Sequence, residues 1–253
     1  LRIERAADGT HVLRAPSRGT FLVAADGRKI LVAPVRGARW LWQRVLLAQA
    51  LPLAAVLQGV ETLHASAVVL ADGTGAAFTG ASLAGKTTLA AAMLETDARL
   101  LSDDVLAVEG VEAGVLAHPA PPLMNLRCGG EAALGAPPRG ARAVGRGAGA
   151  RALQFEPHRA PVPLRALFVL DRSARHATLT LEPLEVGAAA LLLASSFNFI
   201  IEDRARLERQ LDICARIARA GRVVRVRAPL AVRPAELAAH VAAVVTEERR
   251  WAA

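Results

Sequence analysis

Along the first 35 residues, short apolar runs alternate with turn-forming clusters. His11-Val12-Leu13-Arg14, Thr20-Phe21-Leu22-Val23-Ala24 and Lys29-Ile30-Leu31-Val32-Ala33 are set apart by Asp8-Gly9, Ser17-Arg18-Gly19 and Asp26-Gly27. Asp-Gly between such runs is a hairpin signal, so an antiparallel β region is predicted here. Over 38–58 the apolar positions Trp40, Val45, Leu46 and Leu53 spread to helical spacing, with Pro52 breaking the helix or starting a second one. Residues 63–71 read as a strand, Asp72-Gly73-Thr74-Gly75 as a turn and 76–79 as the returning strand, which together make a hairpin. A helix is predicted over 86–95 and a short buried strand over 98–101. Strands follow at 164–170, 177–181 and 223–227, the last after a helix stop at Gly221. Helices are expected over 185–195, over 203–220 with Asp203 as cap, and from Pro234 to about residue 248. The pattern is that of an α/β protein with a mixed sheet: a strand-rich lobe and helix over 1–60, then one compact unit over 61–253.

The returning strand of the hairpin runs into Gly80-Ala81-Ser82-Leu83-Ala84-Gly85-Lys86-Thr87, which fits G-x-x-x-x-G-K-[ST] at every fixed position. Glycines let successive backbone N–H groups turn inward around phosphate oxygens, and the following helix adds the positive end of its dipole. Lys86 is placed to bridge the terminal phosphates and the Thr87 hydroxyl to ligate Mg²⁺. With Asp72 opposite Gly75, the hairpin register sets His64 across from Leu83, as proton partner or phosphate contact. The strand at 98–101 ends in Ser102-Asp103-Asp104, an apolar strand delivering acid at its C-terminal end. Successive strand residues face opposite ways, so one aspartate serves catalysis or metal and the other a supporting hydrogen bond.

Composition sharpens the loop assignment. Of 31 basic residues only Lys29 and Lys86 are lysines, so the loop keeps the compact ammonium that fits between phosphates. The net charge of +8 suits an anionic partner such as a nucleotide or acidic peptide, although scattered arginines also make an ordinary solvated surface. Tyr is absent and aromatics make up 4%, so no stacking platform for nucleic acid is visible. No apolar run approaches the ~20 residues that span a bilayer, and no basic-then-apolar leader opens the sequence, so a cytoplasmic protein is expected. Cys128 and Cys214 lack metal-ligand spacing and are expected to be free thiols. Residues 135–151, rich in Gly, Ala, Pro and Arg, read as a flexible surface loop. Arg139, Arg142 and Arg146 in it, with Arg127 ahead of it, could reach an anionic substrate.

Taken together, the His-opened hairpin, the Gly80–Thr87 loop and Ser102-Asp103-Asp104 resemble the catalytic domain of the HPr serine kinase/phosphorylase family. This P-loop fold is related to PEP carboxykinase. The resemblance covers about 45 residues closely. It implies that residues 80–88 hold ATP, with Lys86 on the phosphates and Thr87 and Asp103 toward Mg²⁺. Asp104 would be the general base, aided by His64 and Asp103, and the acceptor a serine of a peptide or small protein. A homo-oligomer is also implied. Three features depart from the family: this sequence has no room for its N-terminal domain, Thr88 stands where a Glu follows its loop, and its Gly-rich signature finds no counterpart between Pro119 and Ala133. Shorter relatives resemble the tailoring kinases of lasso-peptide clusters. A small-molecule kinase, expected to have a closed polar pocket, and a nucleotide-binding regulator are the alternatives.

Overall fold

A computed structural model describes residues 1–37, 40–147, 149–184, 187–197, 203–219 and 223–251. The helix stop expected at Gly221 and the helix start expected at residue 185 lie outside them. Strands β1 (Arg2–Arg5), β2 (His11–Ala15), β3 (Gly19–Val23) and β4 (Ile30–Pro34) form the expected antiparallel sheet in sequence order. Its inner face packs Leu13, Phe21 and Val23 against Leu53 and Val56 in a cluster of its own. The helical stretch is continuous, as α1 (Trp40–Val45), a π-helical turn (Leu46–Ala50) and α2 (Leu51–Leu57). Pro52 lacks an N–H, and the wider turn around it is closed by Leu51 N–H donating to the Leu46 carbonyl five residues back. Pro52 therefore stands in the first turn of α2, as expected of a helix start, while the chain path stays helical through the widened turn before it.

The large sheet runs β5 (Glu61–Leu63), β9 (Leu106–Val111), β10 (Gly114–His118), β14 (Val162–Arg172), β7 (Gly75–Gly80), β6 (Ser66–Val69), β8 (Arg99–Ser102). Strand β14 is long enough for one edge to be shared. β10 pairs with it at Val162–Pro163, and β16 (Val223–Ala228) along Leu167–Arg172, with β15 (Thr180–Pro183) beyond. Strands β7, β14 and β16 are parallel, whereas β6 is antiparallel to both β7 and β8. Alternation along the strands fills both faces. Val68, Phe78 and Phe168 pack on one face with helices α3 (Lys86–Met93) and α7 (Pro234–Trp251). Ala67, Ala77 and Leu167 pack on the other with α5 (Ala188–Ser195) and α6 (Arg204–Arg219).

The structure corrects three expectations. The strand read over 63–71 is two strands, β5 joining β9 and β6 joining β7, with the break at His64-Ala65. The hairpin register also differs: Ser66 pairs with Phe78 and Val69 with Gly75. Leu70 N–H closes onto the Thr74 carbonyl at 2.8 Å, so Asp72 sits inside the turn, where its carboxylate accepts from Thr74 N–H at 3.0 Å. Continued to His64, that register sets it opposite Gly80 and not Leu83. Thirdly, the segment 135–151 is not a loop throughout. Strands β12 (Arg142–Gly147) and β13 (Ala150–Gln154) form a hairpin that adds to β11 (Leu123–Arg127), burying Ala150, Ala152 and Leu153. Helix α4 (Cys128–Leu134) follows β11. Cys128 and Cys214 are both free thiols. Among the described residues no helix is long and apolar enough to cross a membrane.

Candidate active site

The loop after β7 is fixed by close packing at its first glycine. Gly80 has φ 141°, and a Cβ there would stand 2.5 Å from the Leu170 carbonyl oxygen on β14. Any side chain would push the two parallel strands apart. The loop then rises through Leu83, which has φ 68° and is largely exposed, to Gly85 at the start of α3. The first-turn N–H groups of α3 have no helical partner, so they and the helix dipole face the cleft above. Lys86 is buried and folds back, its Nζ donating to the carbonyls of Gly80 and Ala81 at 3.0 and 3.2 Å. Burial pushes its pKa down, while Asp104 and Asp103 pull it partly back.

The acid pair arrives from β8, which is separated from β7 by β6, so it lies one strand further away than an adjacent arrangement would put it. A chain of hydrogen bonds spans the gap. Ser66 Oγ on β6 and Thr87 Oγ1 on α3 both donate to Asp103 Oδ1, at 2.7 and 2.8 Å, and Asn125 N–H donates to Oδ2 at 3.0 Å. Burial, reinforced by the neighbouring Asp104, raises the Asp103 pKa to about 6 against the pull of these three donors. Asp104 takes the left-handed conformation, φ 67°, which aspartate tolerates better than most residues. That turn lets its carbonyl accept from His64 Nδ1 at 3.0 Å, which fixes the ring proton on Nδ1. The His64 ring stands edge-on to Phe197, centroids 5.7 Å apart. His64, Lys86, Thr87 and Asp104 thus line one cleft of about 740 Å³.

Of residues 80–88, expected to hold a nucleotide, Ser82, Leu83, Gly85, Lys86, Thr87 and Thr88 line this cleft, whereas Gly80, Ala81 and Ala84 do not, and Asp103 lines a smaller adjoining cavity. Thr88 packs against α4: a Cβ on Gly130 would lie 2.6 Å from its hydroxyl. Residues not assigned from sequence join them. Asn125, Gly129 and Gly130 come from the stretch between Pro119 and Ala133 that showed no signature. Arg172, at the end of β14 beside the loop, donates to the carbonyls of Leu230 and Val232 at 2.9 and 2.8 Å. Its place at the end of the strand next to β7 is the one signal that could have marked it. Arg18 and Arg44 reach the cleft from the N-terminal lobe. Of the four arginines proposed to reach a substrate, Arg127 lines the cleft, but Arg146 pairs with Glu131 and Arg142 with Gln154, while Arg139 N–H bonds Glu95.

The donor set suits Mg²⁺. Thr87 gives its proton to Asp103, which leaves the hydroxyl oxygen free to face a cation. Among the described residues no three His, Cys, Asp or Glu gather as a metal cage. Mg²⁺ characteristically takes one or two protein ligands and completes its shell with phosphate and water.

No protein-family model matches the chain, and no curated protein matches it. Among solved structures it is similar to the HPr(Ser) kinase/phosphatase from Coxiella burnetii, at 13% identity and a TM-score of 0.34 over 74% of this chain and 95% of that one. So loose a superposition transfers no residue role and no activity.

Proposed function

We propose that the chain is an ATP-dependent kinase that transfers the terminal phosphoryl group to a serine hydroxyl of a peptide or small protein. The observation that carries this reading is the convergence of Lys86, Thr87 and Asp104 on one cleft, with Asp103 holding Thr87 at 2.8 Å. Phosphoryl transfer needs positioning, charge neutralisation and a base near the hydroxyl, and each has a residue here. Lys86 exchanges its carbonyl partners for the terminal phosphates. Thr87 would hold Mg²⁺, which when bound would supply charge neutralisation for those phosphates. Asp104 accepts the serine proton as the serine oxygen bonds to the γ-phosphorus and the bond to the bridging oxygen breaks, releasing ADP. His64 touches the Asp104 backbone and not its carboxylate, so it serves as an orienting group that holds the base in its left-handed turn.

The cleft favours a macromolecular acceptor over a small one because it is not closed. It shares Arg44, Ala48, Asp104 and Asn125 with a smaller cavity behind the acid pair, and Arg18 and Gln49 with a further groove of about 300 Å³. Ribosomally made precursor peptides of the lasso type are the acceptor class that the sequence resemblance suggests.

Incubation with ATP, Mg²⁺ and serine-containing peptides should add the mass of a phosphate to the peptide. Lys86→Ala and Asp104→Asn should each lower the rate by about 10²- to 10⁴-fold while the fold is kept, as circular dichroism would show. An Asp104→Asn protein that keeps nearly full activity would move the base to Asp103. ATP binding without transfer to any peptide would favour a nucleotide-binding regulator.

A further inference from the structure

The arginines of the cleft exceed what the phosphate loop needs, and two of them do not belong to the elements around that loop. Lys86 and Arg172 belong to the elements that flank the loop, and both donate to neutral carbonyls. Arg18, in the turn between β2 and β3, and Arg44, on α1, come instead from the N-terminal lobe. Among the described residues no carboxylate lies within ion-pair distance of either. Among the described residues Asp104 is the only carboxylate on the wall of the main cleft. Two guanidinium groups that line one concave site, with no carboxylate partner among the described residues, make a binding site for an external anion.

Shared lining residues give the order of the parts. Arg44 lines both the main cleft and the cavity that holds Asp103 and Asp104, so it stands beside the proposed base. Arg18 lines both the main cleft and the outer groove, whose wall continues over Ala15, Pro16 and Val45. The track therefore leads from Asp104 past Arg44 and Arg18 and out along the N-terminal lobe. The π-helical turn that carries Ala48 and Gln49 forms part of this wall, so the irregularity at Pro52 shapes the track.

We infer that this track is the acceptor site and that it takes an acidic peptide, with carboxylates next to the accepting serine bound by Arg44 and then Arg18. The inference rests on the kinase reading for the identity of the hydroxyl but not for the binding itself. It is tested with the full chain loaded with MgADP and a fluorescent peptide in which Ala replaces Ser and Asp flanks it. Anisotropy should show binding that weakens with salt, and Asn in place of the flanking Asp should weaken it about tenfold or more. Arg44→Ala and Arg18→Ala should each raise the peptide Kd about tenfold, and Arg44→Glu should shift preference to a Lys-flanked peptide. An amidated chain end separates a terminal carboxylate from a side-chain one. Equal binding of Asp and Asn peptides overturns the inference. So does a nucleotide Kd that moves by the same factor as the peptide Kd, since it would give both arginines to the triphosphate. If the acidic peptide binds as described but its serine form takes no phosphate, the kinase reading falls and the docking site stands. If acidic and neutral serine peptides are phosphorylated alike, the reverse holds.

Discussion

At the scale of single residues, the charge state of the site turns on Asp103. Burial first, and then repulsion from Asp104, push its carboxyl to about 6, although Asn125, Ser66 and Thr87 all donate to the ionised form. In the unfolded chain the same group releases its proton near pH 4. Between about pH 4 and pH 6 the folded protein therefore keeps a proton that the unfolded chain has lost. The contribution of Asp103 to stability falls as pH rises through that window and is level above it. Asp104→Asn removes the repelling charge, so it should lower the Asp103 pKa and move the upper end of the window down. Carboxyl NMR titration reads the pKa directly, and denaturant midpoints from pH 4 to 7 read the linked stability. An unchanged Asp103 titration in Asp104→Asn would show that burial alone sets the shift.

At the scale of elements, the position of His64 depends on how β5 is anchored. Glu61 on β5 and Arg206 on α6 are each 2% exposed, and their charged groups approach to 3.6 Å. Burial raises the Glu61 pKa, with Arg206 and then Arg209 opposing it. Arg206 also donates to the Phe197 carbonyl at 2.7 Å, so one side chain ties the strand, the helix and the aromatic beside His64. Arg206→Ala leaves Glu61 buried without its ion-pair partner, with only Arg209 still opposing its burial, and should cost about 3 kcal/mol. Replacing both by apolar residues of similar size should cost far less than the two single changes together, as a double-mutant cycle in urea would show. Additive losses would mean that the pair is not coupled. The anchor is invisible in the sequence, where Glu61 is one acid ahead of an apolar run. What was legible is contiguous: residues 80–87 carry their whole pattern in one loop, and Asp103-Asp104 end one strand. Contacts made over long separations were not legible, as with Arg172 at the end of β14 or Asn125 under Asp103. The β12–β13 hairpin read as a loop because its burial falls on Ala150, Ala152 and Leu153, among glycines and arginines that face outward. The register was misplaced because Asp72 caps the turn from inside, so the closing pair is Leu70 and Thr74.

At the scale of the whole molecule, the cleft joins parts with separate cores. The N-terminal lobe packs Leu13, Phe21 and Leu53 in its own cluster, while the large sheet is covered on both faces by clusters that contain none of these residues. Phe78 and Phe168, paired in register across β7 and β14 with rings 5.9 Å apart, sit in the middle of that sheet. Truncating either Phe21 or Phe78, both fully buried, to Ala removes a comparable amount of packing, about 3–5 kcal/mol. The consequences should differ in kind. Phe21→Ala should loosen β1–β4 ahead of the rest, giving a low-temperature transition and lost amide protection confined to the lobe. The remaining body still holds Lys86 and Thr87, so saturating MgATP should still raise its transition, by about 2.7 kcal/mol at a hundredfold excess over Kd. Phe78→Ala loosens the strand that delivers Gly80, so it should lower the main transition and weaken the nucleotide-linked rise with it. Calorimetry with hydrogen exchange, with and without MgATP, separates the two. A single transition for Phe21→Ala, with the nucleotide-linked rise lost, would make the lobe part of one cooperative unit whose folding the phosphate loop requires.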